Sequence, residues 1–231
     1  MKKPCLALTM LFLMAPTVSF ADEVFSFTPI THATFVLQSG STTVYVDPVG
    51  DASAFSGFPA PDLILITHIH GDHLAPELVA TLKQPKTQII GSPTVIEKLG
   101  YGETIRNGET TEAAGLKIEA IPAYNTTTER LKFHPKGRDN GYVLSKTGTR
   151  LYISGDTEDI PEMRALKDID IAFVCMNLPF TMTVEQAASA VNAFKPGVVI
   201  PYHYRGKPDV SDIDAFERLV TTSKVRKLKW Y

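Results

Sequence analysis

The order of secondary-structure signals predicts an α+β fold: two packed sheets covered on both outer faces by helices, a four-layer αβ/βα sandwich. Three observations carry this. Short apolar runs of strand length recur along the whole chain. The middle section, from Leu116 to Ile153, is rich in strand-like segments. The last third alternates helix-like and strand-like segments. With 231 residues, 44% of them hydrophobic and 21% charged, the chain has ordinary globular composition and enough length for one sizeable core.

The chain opens on Lys2 and Lys3, then a short apolar run from Leu6 to Ala15, then Ser19-Phe20-Ala21 before the acidic pair Asp22-Glu23. This is the pattern of a cleaved secretory leader over residues 1–21, leaving residues 22–231 as a single domain exported to the periplasm or medium. The apolar run is too short to span a bilayer, so no stable membrane insertion is expected. Cleavage leaves Cys175 as the only cysteine, in an apolar run where it reads as a buried hydrophobe; no intrachain disulfide can form.

The mature part begins with strand-like pieces at Val24 to Phe27, Thr34 to Leu37 and Thr42 to Val46, the last two joined by a Gly40-Ser41 turn. Asp51 to Pro61, rich in Gly, Pro and Ala, reads as a surface loop. Asp62 to Thr67 is a buried strand, Pro76 to Lys83 a short helix, Gln88 to Ile90 a strand and Thr94 to Leu99 a helix. Leu116 to Ile121, Tyr142 to Ser145 and Arg150 to Ile153 read as strands. Between the first two of these, Ala123 to Asn140 is long, polar and irregular, a candidate lid or site wall. Pro161 to Lys167 is helical and Asp170 to Cys175 a buried strand. Thr183-Val184-Glu185-Gln186 is a capping box that opens a helix to Phe194, ended by Lys195-Pro196-Gly197. Val198 to Ile200 is strand, Ser211 to Val220 helix, and Val225 to Tyr231 a closing strand.

The chemistry is concentrated in Thr67-His68-Ile69-His70-Gly71-Asp72-His73, directly after the apolar run Leu63-Ile64-Leu65-Ile66. Three imidazoles and a carboxylate within six residues are ligand types that suit zinc, manganese or iron. A loop leaving a strand end is where such groups are commonly presented. Asp156 and His203 each follow an apolar run as well, and Gly155 lets the backbone turn sharply before the carboxylate.

The H-x-H-x-D-H segment resembles the signature of the metallo-β-lactamase-fold hydrolases. Asp156 and His203 match that fold's bridging aspartate and final histidine in order and setting. Thr31-His32-Ala33-Thr34-Phe35 and Tyr45-Val46-Asp47-Pro48 resemble the opening motifs of the branch of ascorbate-6-phosphate lactonase-like and N-acylphosphatidylethanolamine phospholipase-like enzymes. The resemblance implies two divalent metal ions, most simply zinc. His68, His70 and a further histidine hold one; Asp72, His73 and His203 hold the other, with Asp156 bridging. His32 is a substrate-side or supporting group, and Asp47 braces the histidine loop. One departure stands out: Asn125, in Ile121-Pro122-Ala123-Tyr124-Asn125, occupies the place of the expected middle histidine. Either His134, on the long loop, folds back to replace it, which is the preferred arrangement, or the first metal is held by fewer protein ligands.

Such a site implies a hydrolase in which a metal-bridging hydroxide attacks an ester, lactone or phosphoester of a small molecule, with Asp72 orienting the nucleophile and shuttling its proton. Tyr202, Tyr204, Lys136 and Arg138 are further candidates for binding a polar or anionic substrate. The alternatives are a single-iron redox enzyme of the same fold, since the ligands suit iron too, and a non-catalytic metal-binding protein. The formal charge of −2 becomes −4 once Lys2 and Lys3 are removed, which leaves no basic footprint for nucleic acid.

Overall fold

The computed structural model describes residues 24–231, so the leader expected at 1–21 lies outside the described residues. The first sheet holds β1 (Ser26–Thr31), β2 (Thr34–Ser39), β3 (Thr42–Val46), β4 (Leu63–Ile66), β5 (Gln88–Gly91) and β6 (Glu103–Thr104), side by side in chain order. The second holds β7 (Thr110–Ala113), β8 (Leu116–Ala123), β9 (Asp139–Lys146), β10 (Thr149–Ile153), β11 (Ile171–Val174), β12 (Val198–Pro201) and β13 (Lys224–Val225), likewise in chain order. Each sheet starts as an antiparallel meander and ends as parallel strands, the change falling at β3 in the first and at β10 in the second.

Side-chain alternation explains the layering. Phe35, Leu37, Val44, Val46, Leu63 and Leu65 face the second sheet and join its residues Ile118, Leu144 and Phe173 in one core. Their neighbours Val36, Tyr45, Ile64 and Ile66 face outward, where Leu78 and Val79 of α1 (Pro76–Leu82) and Val95 of α2 (Pro93–Leu99) cover them. On the far side, α4 (Val184–Phe194) buries Ala187, Ala188, Ala190, Val191 and Phe194. Two shorter helices, α3 (Pro161–Arg164) and α5 (Ile213–Leu219), lie beside it. Helices therefore cover both outer faces, as the four-layer expectation required. Thr183 and Gln186 form the predicted capping box, each side chain accepting from the other residue's backbone N–H.

Three expectations are corrected. The closing strand predicted over Val225 to Tyr231 pairs only at Lys224–Val225. The rest turns over the core, where Trp230 packs on Phe35, Phe173 and Tyr202. The helix from Pro161 ends at Arg164 rather than Lys167. The irregular loop is shorter than predicted at both ends, because β8 runs on to Ala123 and β9 begins at Asp139.

Candidate metal centre

The strand ends on one edge of the sandwich converge. Beyond β3, Asp47 takes a left-handed backbone (φ 44°), a strained conformation for a non-glycine residue. That turn buries its carboxylate beneath the histidine loop. It accepts from the Thr67 backbone N–H at 2.7 Å and the Thr67 hydroxyl at 2.7 Å, and lies 2.7 Å from His73 Nδ1. The hydrogen bond at Nδ1 leaves the His73 Nε2 edge facing the cluster. His32 and His203 share the same strained backbone (φ 56° and 45°). Beyond β10, Gly155 (φ 60°) passes so close to β9 that a Cβ there would sit 2.7 Å from the Asn140 carbonyl oxygen. Only glycine lets the chain turn there and aim Asp156 inward.

The groups meet as follows. His68 Nε2 lies 3.1 Å from His70 Nδ1, and the His134 ring centre is 4.9 Å from that of His68 and 4.8 Å from that of His70. His73 Nε2 lies 3.0 Å from His203 Nε2 and 3.5 Å from Asp156 Oδ1, while His203 Nε2 lies 3.1 Å from Asp156 Oδ1. His134 Nε2 reaches Asp156 Oδ2 at 3.3 Å. Asp72 Oδ2 sits 3.3 Å from His32 Nε2 and 3.7 Å from His203 Nε2. Three sets each have donor atoms within 4.8 Å of one another: His68, His70 and His134; His68, His73 and Asp156, sharing His68 with the first; and His32, Asp72 and His203.

The residues present fit a metal. Asp156 Oδ1 is buried and accepts no hydrogen bond, although His203 Nε2 and His73 Nε2 stand 3.1 and 3.5 Å away, an orphaned acceptor in a nest of imidazoles. Burial, with His73 beside it, holds His68 well below the usual imidazole range; burial likewise lowers His70 and His203, so all three favour the neutral, ligating form. Burial also opposes charge on His73, but the Asp156 and Asp47 carboxylates outweigh it and raise this group to about 9. Burial raises and the surrounding histidines lower Asp156, and the histidines prevail, keeping it ionised. Five imidazole nitrogens and two carboxylates at one place form a nitrogen and oxygen donor set suited to zinc, manganese or iron.

Asn125 is buried but points away. Its amide donates to the carbonyls of Arg130 and Phe180 at 3.0 and 2.7 Å. Its backbone N–H instead donates to the His134 carbonyl at 2.8 Å, tying down the long loop so that the His134 ring enters the cluster. Asp139, 3.1 Å from His134 Nδ1, sets the ring's orientation.

The other sequence candidates divide. Arg138 is near the cluster, 3.5 Å from His70 Nε2, with its guanidinium already paired to Asp139. Tyr202 is a core residue, Tyr204 stacks edgewise on Tyr231, and Lys136 is tied to Tyr124 and Glu162. None of those three lines the cleft. The cleft, about 390 Å³, is lined by His32, His70, Asp72, His134 and Asp156, together with Phe133, Asn177, Phe180, Arg205, Gly206 and Lys207. The last six were not singled out from sequence. Asn177 and Arg205 each lie just past a second-sheet strand, the one signal that marks them.

The profile described as "Beta-lactamase superfamily domain" matches residues 26–203. The chain is 33% identical over 203 residues to a UPF0173 metal-dependent hydrolase of Pyrococcus horikoshii, spanning 82% of this chain and 89% of that one. It is 31% identical to its counterpart from Pyrococcus abyssi, with the same coverage. The crystal structure of a candidate metal-dependent hydrolase from Parabacteroides distasonis is similar to it with a TM-score of 0.82 and 44% identity, over 88% of this chain and 92% of that one.

Proposed function

The chain belongs to the β-lactamase superfamily, as one of the UPF0173 metal-dependent hydrolases, and from that premise we propose that it is exported and cleaves an ester, lactone or phosphoester of a small molecule. The observation that carries the reading is the meeting of His68, His70, His73, His134, His203 and Asp156 around an orphaned carboxylate oxygen at the floor of an open cleft. In this reading the residues that would hold divalent ions are His68, His70 and His134 in one group and Asp72, His73 and His203 in another, with Asp156 available to both. Bound divalent ions supply Lewis acidity and bring the pKa of a water towards neutrality. Zinc is the simplest occupant, with manganese and iron accommodated by the same donors.

The protein's own groups do the rest. Asp72 Oδ2, exposed to the cleft and 3.3 Å from His32 Nε2, accepts the proton of the attacking water and returns it to the leaving oxygen. His32 Nδ1 lies 2.7 Å from the Tyr231 hydroxyl, which fixes the ring edge that Asp72 meets. Phe133 and Phe180 keep one wall of the cleft dry. His32 and the Asp47 brace are in keeping with the lactonase-like and phospholipase-like branch.

Metal analysis of protein purified without added metal, followed by turnover assays on ester, lactone and phosphodiester panels, tests the function. Zinc or manganese with turnover supports it; iron with no hydrolysis turns it towards redox chemistry, and retained metal with no turnover of any kind towards a binding protein. For export, Lys2, Lys3, the apolar run and Ser19-Phe20-Ala21 support cleavage after Ala21. N-terminal sequencing of protein from the periplasmic fraction should begin at Asp22; an intact Met1 would end that part of the proposal.

A further inference from the structure

Arg205 and Lys207 form one wall of the cleft, and neither side chain meets a carboxylate among the described residues. Their setting differs from that of the other cations near the cleft: Arg138 is spent on Asp139, Arg130 on Glu158 and Lys136 on Glu162. The wall is also fixed in place. The Arg205 guanidinium lies over the Tyr231 ring, 3.9 Å from its centre, and its backbone bridges to Val210. The Arg205 N–H donates to the Tyr231 hydroxyl at 3.3 Å. Gly206 is wedged against the Leu178 backbone so tightly that a Cβ has no room, and the Lys207 N–H donates to the Leu178 carbonyl at 2.8 Å. Two positive charges are thus held at the mouth of a site whose floor is a nest of histidines.

Beside these cations the lining is apolar. Phe133 and Phe180 meet edge to face with centres 5.1 Å apart, and Lys207 Nζ stands 5.7 Å from the Phe180 ring. A cleft of about 390 Å³ is of a size that takes a small molecule.

We infer that the substrate is a small ester or phosphoester carrying a separate oxyacid anion, held by Arg205 and Lys207, and an apolar substituent laid against Phe133 and Phe180. This rests on the hydrolase reading for the bond that is cleaved, but not for the anion that is bound. The planar guanidinium suits a carboxylate or a phosphate equally, since either offers two oxygens to its paired N–H groups. Lysine adds a point charge that either anion accepts.

The test is calorimetric binding of benzylphosphonate, phenylacetate and neutral benzyl alcohol to the protein and to the double variant Arg205→Gln/Lys207→Gln, at matched metal content. The expected result is that the anion-to-alcohol affinity ratio falls at least tenfold in the double variant, and that rising salt erodes it in the parent only. Whichever anion binds more tightly assigns the headgroup. A charge-reversed variant, Arg205→Glu/Lys207→Glu, should instead favour benzylamine; thermal melts confirm that both variants fold. An unchanged ratio in both variants overturns the inference. Turnover plays no part in this measurement, so a protein that hydrolyses nothing but shows the ratio change refutes the hydrolase reading and keeps the anion site. A hydrolase without the ratio change does the reverse.

Discussion

Asp47 accepts from two Thr67 donors and sits against His73 Nδ1, all in the interior. Asp47→Ala leaves buried donors without an acceptor, and the expected loss is about 3 kcal/mol of unfolding free energy in a urea titration. Metal affinity should fall by ~10–100-fold, because His73, one of the proposed ligands, loses the partner that orients it. A variant as stable and as tightly metallated as the parent would show that this carboxylate is idle. The exchange of Asn125 for His134 makes a second residue-level prediction. His134→Ala should lower the metal retained per chain through dialysis, whereas Asn125→Ala should retain it and lose about 1–2 kcal/mol of stability by orphaning the Arg130 and Phe180 carbonyls. Equal retention in the two variants would remove His134 from the ligand set. The sequence exposes the missing imidazole and the spare one. It does not expose the hydrogen bond from the Asn125 N–H to the His134 carbonyl that joins them, because a contact made by backbone atoms leaves no mark on residue type. Arg205 and Lys207 are equally illegible: exposed cations are common, and only the lack of a carboxylate partner among the described residues and the cleft beside them set these two apart.

Local signals read best where they are self-contained. The hairpin β2–β3 and the start of α4 follow from a Gly turn and a capping box, each decided within a few neighbouring residues. Thr183→Ala should therefore cost about 1 kcal/mol, a melting shift of roughly 2–4 °C for a chain of this size, with metal content unaltered. A shift in metal content would tie α4 to the site, contrary to its position over the outer face of the second sheet. Elements decided by distant partners read worst. β6 has two residues, and β7 is the polar edge sequence Thr110-Thr111-Glu112-Ala113, so neither shows a strand period. The tail after Val225 has strand-like composition. It leaves the sheet because Trp230 finds an aromatic seat among Phe35, Phe173 and Tyr202, and Tyr231 reaches His32.

Across the whole molecule the two sheets repeat one plan, meander then parallel strands, and the cleft lies along the seam between them. Every one of the three donor sets takes two residues from the first half of the chain and one from the second. Loading the site should therefore raise overall stability: free ion at a hundred times its dissociation constant adds about 2.7 kcal/mol. Chelation should lower the melting temperature accordingly, and readdition should restore it; a melting curve indifferent to chelator would mean that the groups hold no ion in solution. That arrangement makes the ion a rivet as much as a reagent. A cell starved of it would lose this protein twice, first as a catalyst and then, as the unfolded fraction rises, to the proteases that wait for an opening.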